Sequence, residues 1–298
     1  MDTFTLLTGI ASGFLIGAAC CAGAALVVIH RVRKKCLLEL KTLRRADGKT
    51  DGAHSLEKDL RNARIIQRAL LPPSPPSHDR FNIALRSYSL EAVGGDFYSF
   101  TELREGGLGV FIGDVAGHGV SAALFLSLLK ATADRSCRKF GRQPREYLQR
   151  LNRDLYFIMP ASYVTGIYCH FDFNPGSATF TFSRGGHPYP VLCRAGAGRA
   201  RMLKCRGTIL GMFENPEFSE ETLSLEQGDR IFLYTDGFPE TRNEKGEKIG
   251  YGAVPSVIGN SSRDTIDETL DAVMRELDRF RGGEPFNDDV VIMGIEIC

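Results

Sequence analysis

Four aspartates stand in contexts that suit metal chemistry: Asp96 in VGGDFY, Asp114 in IGDVAGHG, Asp236 in YTDGFPE and Asp288 in FNDDVVIM. Each is expected where the chain leaves a strand. Apolar strand residues would hold the backbone rigid, and adjoining glycines would let carboxylates approach one another without Cβ clashes. A lone Asp before Gly is most simply a turn former. Four such sites, three with an apolar run directly beside them, point to chemistry instead. Acidic oxygens without a supporting histidine or cysteine cluster suit Mg²⁺ or Mn²⁺ rather than zinc. Carboxylates so placed would repel one another unless cations offset their charge.

The elements that must position them read as strands with helices between. Ile83–Ser89, Gly109–Val115, Val164–Phe173, Ser177–Ser183, Arg230–Thr235 and Val290–Ile297 are the clearest strands. In Ser177–Ser183, Phe180 and Phe182 alternate with Thr179 and Thr181, the period of a half-buried strand. Ser121–Lys139 is expected as a helix with Leu124, Leu128, Leu129 and Ala131 on its apolar face, and Arg145–Phe157 and Thr265–Arg281 as two more. Strand-rich blocks separated by helical ones argue for an α+β fold rather than a βαβ series.

Upstream, Thr3 to Ile29 carries no charge, about 27 residues and enough to cross ~30 Å of hydrocarbon. Asp2 precedes it, and His30, Arg31, Arg33, Lys34 and Lys35 follow at once. Positive charge after the apolar run, not before it, predicts a retained anchor with the N-terminus outside and the remainder in the cytoplasm. Gly9, Gly13 and Gly17 recur on one face, a spacing that permits close helix pairing and a homodimer; Gly and Ala are also simply common in such helices. A second helix is expected from Ser55 to Leu71, with Leu60, Ala63, Ile66 and Leu70 on its apolar face and Arg61, Arg64 and Arg68 in solvent. PPSPPS at 72–77 ends it in a stiff spacer. The organisation is thus a transmembrane anchor over 1–30, a cytoplasmic linker over 31–80 with its helix at 55–71, and a catalytic domain over 81–298.

The ordered series VGGDFY, GDVAGHGVSAAL, LNRDL, GGHPYPVL, Ile209–Gly211, GDRIFLYTDGFPETRN and NDDVVIMGIEI resembles the PPM-type (type 2C) serine/threonine phosphatases of the SpoIIE-like bacterial partner-switching branch. The resemblance runs from Phe81 to Cys298. It implies two stacked antiparallel sheets flanked by helices, with two Mn²⁺ or Mg²⁺ ions at one edge of the sandwich. It further implies that Asp114 bridges the ions and the Val115 carbonyl binds one of them. Asp96 and Asp236 would ligate individual ions, and Asp288 would complete the set. The implied substrate is a phosphorylated STAS-domain antagonist of an anti-sigma factor, and the helix over 55–71 resembles a linker that takes part in dimer contacts and switching. Departures fall at Ser99, Arg184–Gly185, Pro239 and Val291, where relatives carry Asp, Asn-Ala, a small residue and Thr. They bear on a third, weaker metal site and on substrate contacts. His118, four residues after Asp114, and His187, before a proline, read as turn or core residues rather than as proton carriers.

Composition narrows the alternatives. The 298 residues are 43% hydrophobic and 24% charged with a formal net charge of +1, which gives no electrostatic case for nucleic acid. The eight cysteines form no C-x-x-C pair and read as reduced. A phosphatase using a metal-activated water is the leading class. A non-catalytic module that holds a phosphoprotein and a metal-dependent nuclease are the competitors.

Overall fold

The computed structural model of the chain describes residues 65, 67, 69–90, 94–103, 107–117, 120–159, 162–175, 177–196 and 200–298. All belong to the unit Asp59–Cys298. The expected anchor over 1–30, the Gly9, Gly13 and Gly17 stripe, most of the linker helix and His118 lie outside them. Among the described residues, no helix is long and apolar enough to cross a membrane. Of the expected helix over 55–71, Ile65, Gln67, Ala69 and Leu70 are described and helical. Leu70 and Leu71 pack against the core of the sandwich, and the proline-rich stretch after them carries no regular structure.

Two five-stranded sheets form the centre. The first runs β1 (Phe81–Tyr88), β10 (Val290–Ile297), β9 (Arg230–Tyr234), β6 (Val191–Cys193), β7 (Ala200–Met202). The second runs β2 (Asp96–Glu102), β3 (Leu108–Val115), β4 (Val164–Asn174), β5 (Ser177–Gly185), β8 (Glu220–Glu226). Every neighbouring pair is antiparallel. The period-two pleat sorts the apolar residues to two faces. Val110 and Ile112 of β3 point between the sheets, where they join Ile167, Phe180, Phe182, Leu233 and Met293. Phe111, between them in sequence, points outward.

Helices cover both outer faces. On the second sheet, α1 (Val120–Phe140) and α2 (Pro144–Ile158) bury Leu126, Leu129, Tyr147, Leu148 and Leu151 against Phe97 and Phe111. On the first, a short α3 (Gly237–Glu240), α4 (Val254–Asn260) and α5 (Ile266–Arg281) bury Phe238, Ile258, Leu270, Val273 and Leu277 against Phe232 and Ile292. The ends of α5 follow from local chemistry. Thr265 and Glu268 form a reciprocal capping box, Arg279 and Arg281 occupy the last turn, and Gly282 takes the left-handed conformation at φ 62° that ends the helix.

Two expectations need correction. The buried stripe of α1 is Ala122, Leu126, Leu129, Ala133 and Cys137; Leu124, Leu128 and Ala131 face outward. Leucines surround much of this helix, so periodicity alone did not say which stripe meets Phe111. The second correction concerns the aspartates. Asp114 is the penultimate residue of β3 and Asp236 follows β9, but Asp96 opens β2 and Asp288 precedes β10. In antiparallel neighbours one strand's end lies beside the next strand's start, which is why the four still share one end of the sandwich.

The corrected stripe of α1 can be tested by urea titration. Leu129→Ala should cost ~2–5 kcal/mol as a core truncation, whereas Leu124→Ala should stay within ~0.5 kcal/mol. Equal losses at both positions would contradict the assignment.

Candidate active site

The carboxylates gather where the two sheets meet at one end. Asp96 and Asp114 are direct cross-strand partners on β2 and β3, so their side chains share the inter-sheet face. The first sheet supplies the opposite wall: Thr235 and Asp236 at the end of β9, Asp288 and Asp289 at the start of β10. Thr235 ties the walls together. Its hydroxyl donates to Asp96 Oδ2 at 2.9 Å and accepts the Val291 amide at 2.9 Å. Backbone bonding between Thr235 N–H and the Val291 carbonyl, 3.0 Å, fixes the strand ends.

Glycine is required twice here. A Cβ at Gly95 would collide with Asp114 Oδ1 and lie 2.7 Å from the Val115 carbonyl oxygen, so these two oxygens share one small space. At Gly94 a Cβ would strike the Asp289 carboxylate. The loop before Asp96 is held from outside as well. Gln67 donates through Nε2 to the Gly94 carbonyl and accepts the Gly94 amide through Oε1 at 3.1 Å. Asp289 Oδ1 accepts the Leu90 amide at 2.7 Å, and Asp288 Oδ1 accepts the Asp289 amide at 2.8 Å.

The electrostatics are those of an uncompensated acidic cluster. Burial, then the charges of Asp114 and Asp289, holds the Asp96 carboxyl well above its usual range, against the Thr235 hydroxyl that lowers it. Burial pushes Asp114 up to about 8, with Asp236, Asp288 and Asp289 adding to it. Asp236 is raised by burial, then by Asp288 and Glu240. No Lys or Arg figures among the principal influences on these three groups. Among the described residues, no three carboxylate, histidine or cysteine side chains already close into a cage for an ion. The residues nonetheless fit divalent cations. The donors are hard oxygens, their charge is unbalanced, and Asp114 Oδ1 meets the Val115 carbonyl in the space left by Gly95.

All four aspartates expected from the sequence therefore lie at this end of the sandwich, Asp96, Asp236 and Asp288 each within electrostatic range of Asp114. Two participants were missed. Asp289 is buried and acts on both Asp96 and Asp114, while Asp288 is exposed. The doubled Asp was the available signal. Gln67 carried no signal, since a helix residue gripping a loop 27 positions away leaves no local pattern. His187 is a buried neutral imidazole, pushed down to about 3 by burial and then by Arg184. Its Nδ1 lies 3.0 Å from the Thr165 hydroxyl. That agrees with the core reading.

Comparison with known proteins places this arrangement. The fold is that of the PP2C phosphatases: it superposes on the SiaA-PP2C domain of Pseudomonas aeruginosa with TM-score 0.71 at 23% identity, covering 83% of this chain and 99% of that one. The profile of stage II sporulation protein E (SpoIIE) matches residues 104–297, and the chain belongs to that family as a SpoIIE-type PP2C phosphatase domain. Phosphoserine phosphatase RsbU of Bacillus subtilis (strain 168) is 29% identical over 192 residues, 64% of this chain and 56% of that protein. Phosphoserine phosphatase RsbP of the same strain is 30% identical over 186 residues, 61% of this chain and 45% of that protein. The match thus spans about half the length of these curated relatives.

The raised carboxyls dictate a pH signature. A folded-state pKa above the unfolded value means that protonation favours the folded form. That contribution is complete below 3.8 and is lost as pH rises through about 8 for Asp114. Chelated protein should therefore lose stability between pH 5 and pH 8.5 through these groups, and the rise in Tm on adding Mn²⁺ should be larger at pH 8 than at pH 6. Asp114→Asn should shrink that rise. A metal-induced shift of equal size at both pH values would place binding elsewhere.

Proposed function

We propose that this chain is a metal-dependent protein serine/threonine phosphatase that hydrolyses phosphoserine and phosphothreonine. The observation that carries the reading is the mutually repelling set Asp96, Asp114, Asp236 and Asp288 at the mouth of a PP2C-type sandwich, buried at Asp96, partly buried at Asp114 and Asp236 and exposed at Asp288, with no basic residue among the principal influences on the first three. Two divalent ions, Mn²⁺ or Mg²⁺, would supply an acidified water for in-line attack on phosphorus and neutralise the phosphate oxygens. Asp114 and the Val115 carbonyl would hold them jointly, with Asp96, Asp236 and Asp288 around. The chain's own contribution is positional. Thr235 orients Asp96 by a hydroxyl bond, and the pair Gly94–Gly95 lets Asp289 and Asp114 approach the loop. A module that merely held a phosphoprotein would have no need of buried carboxylates at the cost of desolvation.

Support for the substrate comes from the relatives: two curated matches carry the name phosphoserine phosphatase. Together with the SpoIIE resemblance, this favours a phosphorylated STAS-domain protein in a partner-switching pathway. We also propose that the uncharged run Thr3–Ile29 anchors the chain in the cytoplasmic membrane, with the catalytic domain on the cytoplasmic side. Confinement to that plane would favour a homodimer through the Gly9, Gly13 and Gly17 face.

Release of phosphate from p-nitrophenyl phosphate and from a serine-phosphorylated STAS-domain protein should require Mn²⁺ or Mg²⁺ and stop in excess EDTA. Asp114→Asn and Asp236→Asn should each lower kcat at least about 100-fold, or ~2.7 kcal/mol of transition-state stabilisation, with the fold kept by circular dichroism. More than a tenth of wild-type kcat in either variant would refute the ligand assignment.

A further inference from the structure

Arg184 sits at the same end of the sandwich, outside the aspartate cluster. The register places it: Asp114 pairs with Thr165 across β3 and β4, and Ile167 pairs with Arg184 across β4 and β5. Residues 165 and 167 share a face of β4, so Arg184 and Asp114 project from one face of one sheet. Two strand spacings across and two residues along separate their Cα atoms by about 12 Å. A chain of contacts spans that gap. Thr165 touches His187 at 3.0 Å, and the His187 carbonyl accepts from Arg184 Nε.

The guanidinium is held but not neutralised. Nη1 points to the Cys205 carbonyl at 3.4 Å, and the plane lies over the Tyr189 ring, 4.4 Å from its centre. Among the described residues its partners are carbonyl oxygens and a ring, with no carboxylate in an ion pair. Tyr251 is nearly half exposed. Burial, then Asp236 and Glu240, pushes its phenol up to about 12 with Arg184 opposing, so Tyr251 lies in range of both the aspartates and Arg184. A fixed, partly exposed fork lacking an anion is a ready receptor for a carboxylate.

Building on the phosphatase reading, we infer that Arg184, with Tyr189 beneath it, forms a subsite for an acidic side chain flanking the phosphoresidue of the substrate. The spacing selects the flank over the phosphate itself. In an extended peptide, a residue three or four positions from the phosphoserine lies ~10–13 Å away, which matches the separation of about 12 Å between Asp114 and this arginine. The competing reading is a staple: Arg184 would only tie the turn at 184–187 to Cys205.

The test uses the full chain with Mn²⁺ and three substrates: p-nitrophenyl phosphate, a phosphoserine peptide flanked by glutamates, and the same peptide flanked by alanines. Wild-type protein should favour the glutamate peptide about tenfold in kcat/KM, chiefly through KM, and lose that preference in high salt. Arg184→Gln should abolish the preference, and Arg184→Lys, which keeps the charge without the fork, should leave part of it. An undiminished preference in Arg184→Gln would overturn the inference. So would kcat/KM falling in equal proportion on all three substrates, the mark of a staple. The wild-type comparison needs no variant, so a poorly folding Arg184→Gln does not spare it. Hydrolysis without an acidic preference would overturn this inference alone; no hydrolysis of any substrate would overturn the phosphatase reading and this inference with it.

Discussion

Repulsion among buried carboxylates is the constraint on which the rest of this domain depends. Asp96, Asp114 and Asp236 are all driven above their ordinary range, burial first and neighbouring acids second. Nothing in a hydrophobic sandwich would gather such groups spontaneously. They are held together by the strand ends that carry them, and those strands are fixed by three apolar clusters, one between the sheets and one under each helical layer. The Thr235 hydroxyl, bonded at once to Asp96 and to the Val291 amide, joins the sheets at the point where the repulsion acts. Glycines at 94 and 95 serve the same end, since any side chain there would meet a carboxylate. The scaffold therefore supplies the order that the acids alone would not keep.

What could be read from the chain alone follows from how local each signal is. The long strands at Leu108–Val115, Val164–Asn174 and Val290–Ile297 were legible because burial on both faces leaves near-continuous apolar runs. The strand Asp96–Glu102 was not, since it begins with a charge and carries Ser, Thr and Glu. β6 and β7, three residues each, are too short to show a period. β8, largely exposed and rich in glutamate, was not among the expected strands because it shows no apolar run. The four aspartates announced themselves by motif, and Asp289 hid behind its neighbour. Gln67 acts through tertiary placement from a helix upstream of the sandwich, so no window of sequence displays it; Arg184 stood out only as a departure from the family pattern, and its placement comes from pleat and register. The resemblance to a known family supplied the ordering of the motifs, which composition and periodicity alone would not have assembled into two sheets.

The closing strand pair has a consequence for the order of assembly. Among the described strands β1 pairs with β10, from Phe81 opposite Ile297 to Tyr88 opposite Val290. A pairing this distant in sequence makes loop closure the slow event of folding. Until it happens, Phe81, Ala84 and the backbone of β1 lack their neighbour, and the first sheet lacks Asp288 and Asp289 at its mouth. A growing chain would thus carry the second sheet, with Asp96 and Asp114 in register, and Thr235 and Asp236 of the facing wall, well before Asp288 and Asp289 arrive. Early intermediates would be half-sandwiches with an open apolar face, prone to association. The same strand that completes the hydrophobic centre also delivers the last acids, so this domain cannot acquire its chemistry ahead of its shape.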